Sequence, residues 1–183
     1  MKLQSNIKVE LTRINFIYKN QPVLTECIAP YKGFTLFNKQ FGPFKKGKTY
    51  KLKFWLALPL IAHNILKIAP GEKCDNVDVQ RFAIRERDDP QLAQLENNLF
   101  LNKIKEFRNF MIKITEEGIK PKQLMDLYNS YTANIIDTRL LKLLRLSQTE
   151  LTEITMSRLS TSEKVLYKEL FEIVGSFRDF FLD

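Results

Sequence analysis

From Phe54 to the end of the chain, apolar residues recur at intervals of three and four, broken at turns most of which carry proline or glycine. A period near 3.6 sustained over most of a chain commits it to amphipathic helices, which must bury their stripes on one another. Five helices are expected. The first, over 54–68, is apolar almost all round (Trp55, Leu56, Leu58, Leu60, Ile61), so it reads as a central helix buried on most faces. Pro59 inside it removes a backbone donor and predicts a kink or a late start. The second, over 76–87, is stopped by Asp88-Asp89-Pro90, because the residue before a proline disfavours helical angles. The third begins near Gln91 and carries Phe100, Ile104, Phe107, Met111 and Ile114; Gly118 and Pro121 separate it from the fourth.

The fourth, over 121–146, has one stripe at Leu124, Leu127, Tyr128, Tyr131 and Ile135 and another at Ile136, Leu140, Leu143 and Leu144. Two stripes call for two neighbours. The last helix opens on Ser160-Thr161-Ser162-Glu163, a capping box in which serine and glutamate each satisfy an orphan backbone donor. Its stripe (Leu166, Leu170, Ile173, Phe177, Phe180), with Phe171, Val174 and Phe181 beside it, is wider than one neighbour requires. Short connections predict an antiparallel bundle. Surplus apolar surface predicts a partner chain, with Ile136, Leu140, Leu144, Phe171, Val174 and Phe181 as candidate subunit interface. The alternative is that these faces pack on one another.

Before Phe54 the pattern differs. Ile7, Val9 and Leu11 alternate with polar residues, and Ile14, Phe16 and Tyr18 repeat the alternation, which is the period of a half-buried strand. Turn signals at Pro30, Gly33, Gly42-Pro43 and Gly47 interrupt further apolar positions. Residues 1–52 are therefore expected to form a small β-rich domain, and 53–183 a helical domain that mediates assembly. The fold class expected is mainly α, a small N-terminal β-rich domain followed by a five-helix antiparallel bundle. Charge follows the same division. The chain carries a formal +8, yet residues 1–53 hold eleven Lys and Arg against only Glu10 and Glu26. Lys45, Lys46, Lys48, Lys51 and Lys53 form a candidate basic surface beside Phe41, Phe44 and Tyr50, where aromatics can stack bases and lysines neutralise phosphates. If Tyr50 and Leu52 face the core, Lys51 and Lys53 only occupy the solvent side.

Nothing resembles an export signal, and the longest apolar run, Phe54–Ala62, is far short of the roughly 18 residues a spanning helix needs. An intracellular protein without a membrane segment is expected. Cys27, Cys74 and the single His63 are too few for a typical zinc site. Phosphate-binding, dinucleotide, zincin and serine-hydrolase spacings are missing from the sequence. Cys27 and Cys74 read as small buried hydrophobes and His63 as a hydrogen-bonded structural residue in the first helix. Asp88-Asp89 reads as a solvated helix stop rather than a metal site. No catalytic residue, cofactor or metal is assigned, and a non-enzyme is expected.

The run Phe41-Gly42-Pro43-Phe44-Lys45-Lys46-Gly47, followed by Lys53-Phe54-Trp55-Leu56-Ala57, resembles the junction in GINS subunits whose small β domain precedes the helical domain. Asp137-Thr138-Arg139-Leu140-Leu141-Lys142-Leu143 looks like that family's aspartate-x-arginine-x-x-lysine-leucine motif. Lys53 stands where the family often has proline, and Pro59 lies inside the helix instead. The compact length resembles archaeal members, which act at the replication fork in the cytoplasm; a eukaryotic member would be nuclear. The resemblance implies a heterotetramer of two such chains with two sister subunits, a scaffold that bridges the MCM helicase and a RecJ-like replication protein. A weak DNA contact through the basic domain accompanies that reading. The alternative is an independent nucleic-acid-binding module with a helical dimerisation domain, distinguishable by a steep salt dependence of DNA affinity.

Overall fold

The computed structural model describes residues 2–119 and 121–182, with the side chains of 2–5, 113 and 114 outside the description. The fold is mainly α. Seven helices and five short strands are present among the described residues. The chain divides into two compact units, one made of Met1–Asn15 and Cys74–Asp183, the other of Phe16–Lys73.

The first element corrects the sequence reading. Residues 2–19 form one helix, α1 (Lys2–Lys19), not a pair of strands. Ile7, Leu11, Ile14 and Tyr18 are spaced four, three and four apart, so a helical stripe was present beneath the alternation. No glycine or proline interrupts the first 21 residues. Ile14 and Asn15 are buried, while Val9 and Phe16, the residues that completed the alternation, are exposed.

The small unit is built on one long hairpin. Strand β1 (Pro22–Cys27) pairs antiparallel with β4 (Thr49–Lys53), from Pro22↔Lys53 to Glu26↔Thr49. Its other edge pairs with β5 (Leu66–Ile68), giving the order β4-β1-β5. Between β1 and β4 the hairpin continues as an arm, β2 (Phe34–Leu36) and β3 (Lys39–Phe41), paired only to each other. Alternation places Val23, Thr25 and Cys27 inside. Helix α2 (Phe54–Ala62) packs on this sheet with Phe54, Leu56, Ala57, Leu60 and Ile61 buried.

The domain boundary expected at 52/53 therefore moves. Helix α2 and β5 belong with the sheet, so this unit runs to Lys73. The first helix stops at Ala62 rather than Ile68, because Asn64 turns to φ 54° and the chain re-enters the sheet as β5. Pro59 sits inside the helix.

The other unit holds α3 (Asn76–Asp88), α4 (Phe100–Glu116), α5 (Lys122–Leu146), α6 (Glu153–Ser157) and α7 (Thr161–Leu182). Asp75 caps α3 by accepting from the Val77 and Asp78 amides, and Asp78 accepts from the Asp75 amide in return. Helix α5 packs most extensively on α3, then on α4 and α7. Val79, Phe82, Ile104, Phe107, Tyr128 and Ile135 are buried between them. Ile114, the last residue of the expected third-helix stripe, lies outside the described side chains.

Helix α4 begins at Phe100, nine residues after the expected start. The segment 91–99 stays irregular while burying Leu92, Ala93 and Leu95, and the carbonyls of Gln91, Leu92 and Ala93 accept from the side chains of Lys142, Arg158 and Arg139. The one-turn helix α6 was not anticipated; Thr152 caps it by accepting from the Thr155 amide. Among the described residues no helix is long and apolar enough to cross a membrane.

Candidate functional site

In the helical unit two of the motif residues, Arg139 and Lys142, meet at a buried ionic centre. The inward face of α5 runs Met125, Tyr128, Ile135, Arg139, Leu143, so Arg139 occupies a position where the helical period calls for an apolar residue. It is 1% exposed. Its Nε and Nη2 donate to the two oxygens of Glu163 at 2.6 and 2.9 Å, the paired geometry that a planar guanidinium favours. Nη1 donates to Glu86 Oε2 at 2.7 Å and to the Ala93 carbonyl at 3.2 Å, and Nη2 reaches the Arg158 carbonyl at 2.9 Å. All five donors of the guanidinium are thereby used.

One turn on, Lys142 spends its three donors on the Glu86 carboxylate, the Glu86 carbonyl and the Gln91 carbonyl. Glu86 and Glu163 each accept a further backbone amide, Ala93 and Ser160 respectively. The two cations and two anions balance. Burial alone would lower the Arg139 pKa, but the hydrogen bonds and charges of Glu163 and then Glu86 outweigh it and hold the guanidinium above its ordinary value. The Phe82 ring also lies 6.0 Å from the guanidinium carbon.

This centre ties α3, the 91–93 segment, Arg158 and the start of α7 to one side of α5. It leaves no donor of Arg139 or Lys142 over for a ligand. Glu86 and Glu163 were missed as its carboxylates, since Glu163 was legible only as a cap and Glu86 only as one residue of a charged helix. Asp137, the motif's aspartate, is instead exposed.

The candidate interface residues divide. Ile136, Leu140 and Leu144 of α5 are 42%, 37% and 43% exposed and form an open stripe. Leu143, placed beside them in the sequence reading, is buried with Leu92, Leu159 and Tyr167. Phe171 is half-buried and its ring stacks on Tyr167 at 5.8 Å, and Val174 is also half-buried. Beyond them the second half of α7 is open, with Ile173, Phe177, Phe180, Phe181 and Leu182 all exposed. Phe181 lies against Phe177 and Phe180, with ring centres 4.9 and 5.0 Å away.

In the small unit the junction residues are structural. Phe44 is 2% exposed and meets Tyr50 edge-on at 4.9 Å, while Phe41 stacks on Phe34 at 5.3 Å. The Tyr50 hydroxyl accepts from the Lys45 amide and donates to the Pro43 carbonyl. Those three aromatics are thus occupied, and they are not a free surface for bases. Gly42 and Gly47 take φ of 100° and 78°, which favour glycine, and Gly42-Pro43 is cis. Leu56 and Ala57 are buried, and Trp55 is partly exposed.

Lys45, Lys46, Lys48, Lys51 and Lys53 are all exposed. Lys51 and Lys53 occupy the outer face of β4, as the alternation with Tyr50 and Leu52 requires. The structural division sharpens the charge asymmetry. Phe16–Lys73 holds ten lysines against Glu26 and Glu72, a formal balance of +8 equal to that of the whole chain. The aromatic that sequence reasoning missed is Phe37, 85% exposed at the tip of the arm. Its signal was the short Phe37-Asn38 step between two three-residue strands.

Cys27 and Cys74 are free and buried. Burial pushes the Cys74 thiol up to about 11. His63 is exposed at the C-terminal end of α2, not within the helix. Asp88 is exposed, and Asp89 accepts from the Gln91 amide as part of the helix stop. Among the described residues no three His, Cys, Asp or Glu side chains are grouped so as to hold a metal ion. Compared with known proteins, the chain matches no family model and no curated sequence.

Proposed function

We propose that this chain is a non-catalytic scaffold subunit of the GINS complex in DNA replication, in the branch whose small β domain precedes the helical one. It would assemble two-plus-two with a sister subunit and bridge the MCM replicative helicase to a RecJ-like partner. The observation that carries the reading is the open apolar surface of the helical unit, on the Ile136, Leu140, Leu144 stripe and on the second half of α7. A folded unit whose buried ions are fully paired has little reason to expose so many large apolar side chains unless another chain covers them. The placement of Arg139, Lys142 and Leu143 supports it further, because the motif residues serve the interior of the body and suit a scaffold.

Function in such a subunit is coupling. Binding free energy spent on holding partners in a competent arrangement raises the population of the active helicase, with no reaction performed by the chain itself. Co-expression with a sister subunit, followed by native mass measurement, tests the proposal. A two-plus-two complex that is lost on Leu140→Glu, with the mutant chain still folded, is the expected result. A stable monomer that ignores its sister at micromolar concentration would sink it.

A further inference from the structure

The arm of the small unit presents one residue that the fold does not use. Tyr31 and Phe44 exchange backbone hydrogen bonds at its base, 3.0 and 2.8 Å long. Gly33 and Gly42 let the two strands approach: a Cβ on Gly33 would lie 2.0 Å from the Phe41 carbonyl oxygen. Above them Phe34 stacks on Phe41, and Leu36 pairs with Lys39 across a two-residue turn. Both turn residues have positive φ, 47° at Phe37 and 60° at Asn38. Asparagine takes such angles readily, whereas a bulky aromatic there is an outlier held at a cost. Phe37 recovers nothing by packing, since it is 85% exposed.

We infer that the arm is a stacking platform for single-stranded nucleic acid, with the Phe37 ring against a base and lysines of the +8 unit on the phosphates. Three observations converge on that ligand. The two-residue turn sets the Phe37 backbone at the tip of the arm, and its side chain is open to solvent. Lys32 and Lys39 on the arm and Lys45, Lys46 and Lys48 at its foot are exposed, a charge complementary to a phosphate backbone. Thr35, Asn38 and Gln40 on the same arm are exposed hydrogen-bonding side chains. These suit base edges and sugars, where a membrane-inserting tip would carry more apolar groups. The inference is independent of assembly with a sister subunit, because it concerns binding by this chain alone.

The experiment is fluorescence anisotropy of the full chain with a labelled thymidine oligomer of about twenty nucleotides and with an abasic chain of the same length. Phe37→Asn suits the positive φ and keeps the charge, and circular dichroism confirms that it folds. It should weaken thymidine-oligomer binding about 5- to 100-fold without changing the salt slope. It should leave abasic-chain binding unchanged, and Phe37→Trp should retain wild-type affinity or exceed it. The inference is overturned if Phe37→Asn binds the thymidine oligomer as wild type does, or loses the same factor on both chains. It is equally overturned if Phe37 governs only binding to phosphatidylserine vesicles or to an acidic protein.

Discussion

Arg139 fixes the helical unit by geometry more than by net energy. A buried ion pair gains little over well-packed apolar residues, but removing one partner strands the others and typically costs about 3 to 5 kcal/mol. Arg139→Ala should therefore lower the unfolding free energy by about that amount in urea titrations, because Glu86 and Glu163 would be left buried without their cation. Arg139→Lys should not restore it, since an ammonium offers three donors where the site has five acceptors. Cys74 gives a second test. Its thiol titrates at about 11 when folded against 9.0 ordinarily, so the folded state disfavours the thiolate. The associated stability is complete below about pH 9 and is lost as pH rises through about 11, roughly 3 kcal/mol in all. Cys74→Ala should flatten that part of the alkaline stability profile relative to wild type.

At the scale of the element, α7 has two halves with different tasks. Its first turn is anchored by the Ser160–Glu163 capping box, whose glutamate also grips Arg139, and Tyr167 is buried while its hydroxyl donates to the Thr149 carbonyl. Its second half contributes little to the core. Phe177→Ser with Phe180→Ser is thus expected to leave the urea midpoint nearly unchanged, since exposed positions usually shift stability by no more than about 0.5 kcal/mol. The same change should reduce self-association by light scattering. Unchanged scattering together with a lowered midpoint would show that these rings belong to the fold.

For the whole molecule, the two units set where the chain can be cut. A truncation after Lys51 removes β1 to β3 and most of β4, leaving Phe54, Leu56, Leu60 and Ile61 of α2 without their sheet. It also removes Asn15, whose amide donates to the buried Glu106 carboxylate at 2.7 Å. The product is expected to aggregate on gel filtration. The boundary expected after residue 52, from the change of period and the charge division, thus separates a helix from the sheet that buries it.

What the sequence by itself determined is local. The ends of α3, the span of α5 and the capping box of α7 follow from proline, aspartate and serine acting within one turn, and they stand where the pattern puts them. Tertiary structure decided the rest, where two periods fit the same residues or where a distant group competes for the backbone. Ile7 to Tyr18 satisfy both strand and helix spacing, and the helical outcome buries Ile14 and Asn15. Residues 91–99 could have continued a helix, but Lys142, Arg158 and Arg139 take the carbonyls of Gln91, Leu92 and Ala93 from a distance. The ionic centre itself was invisible because Glu86 and Arg139 lie 53 residues apart, and only folding brings such charges into one dry site.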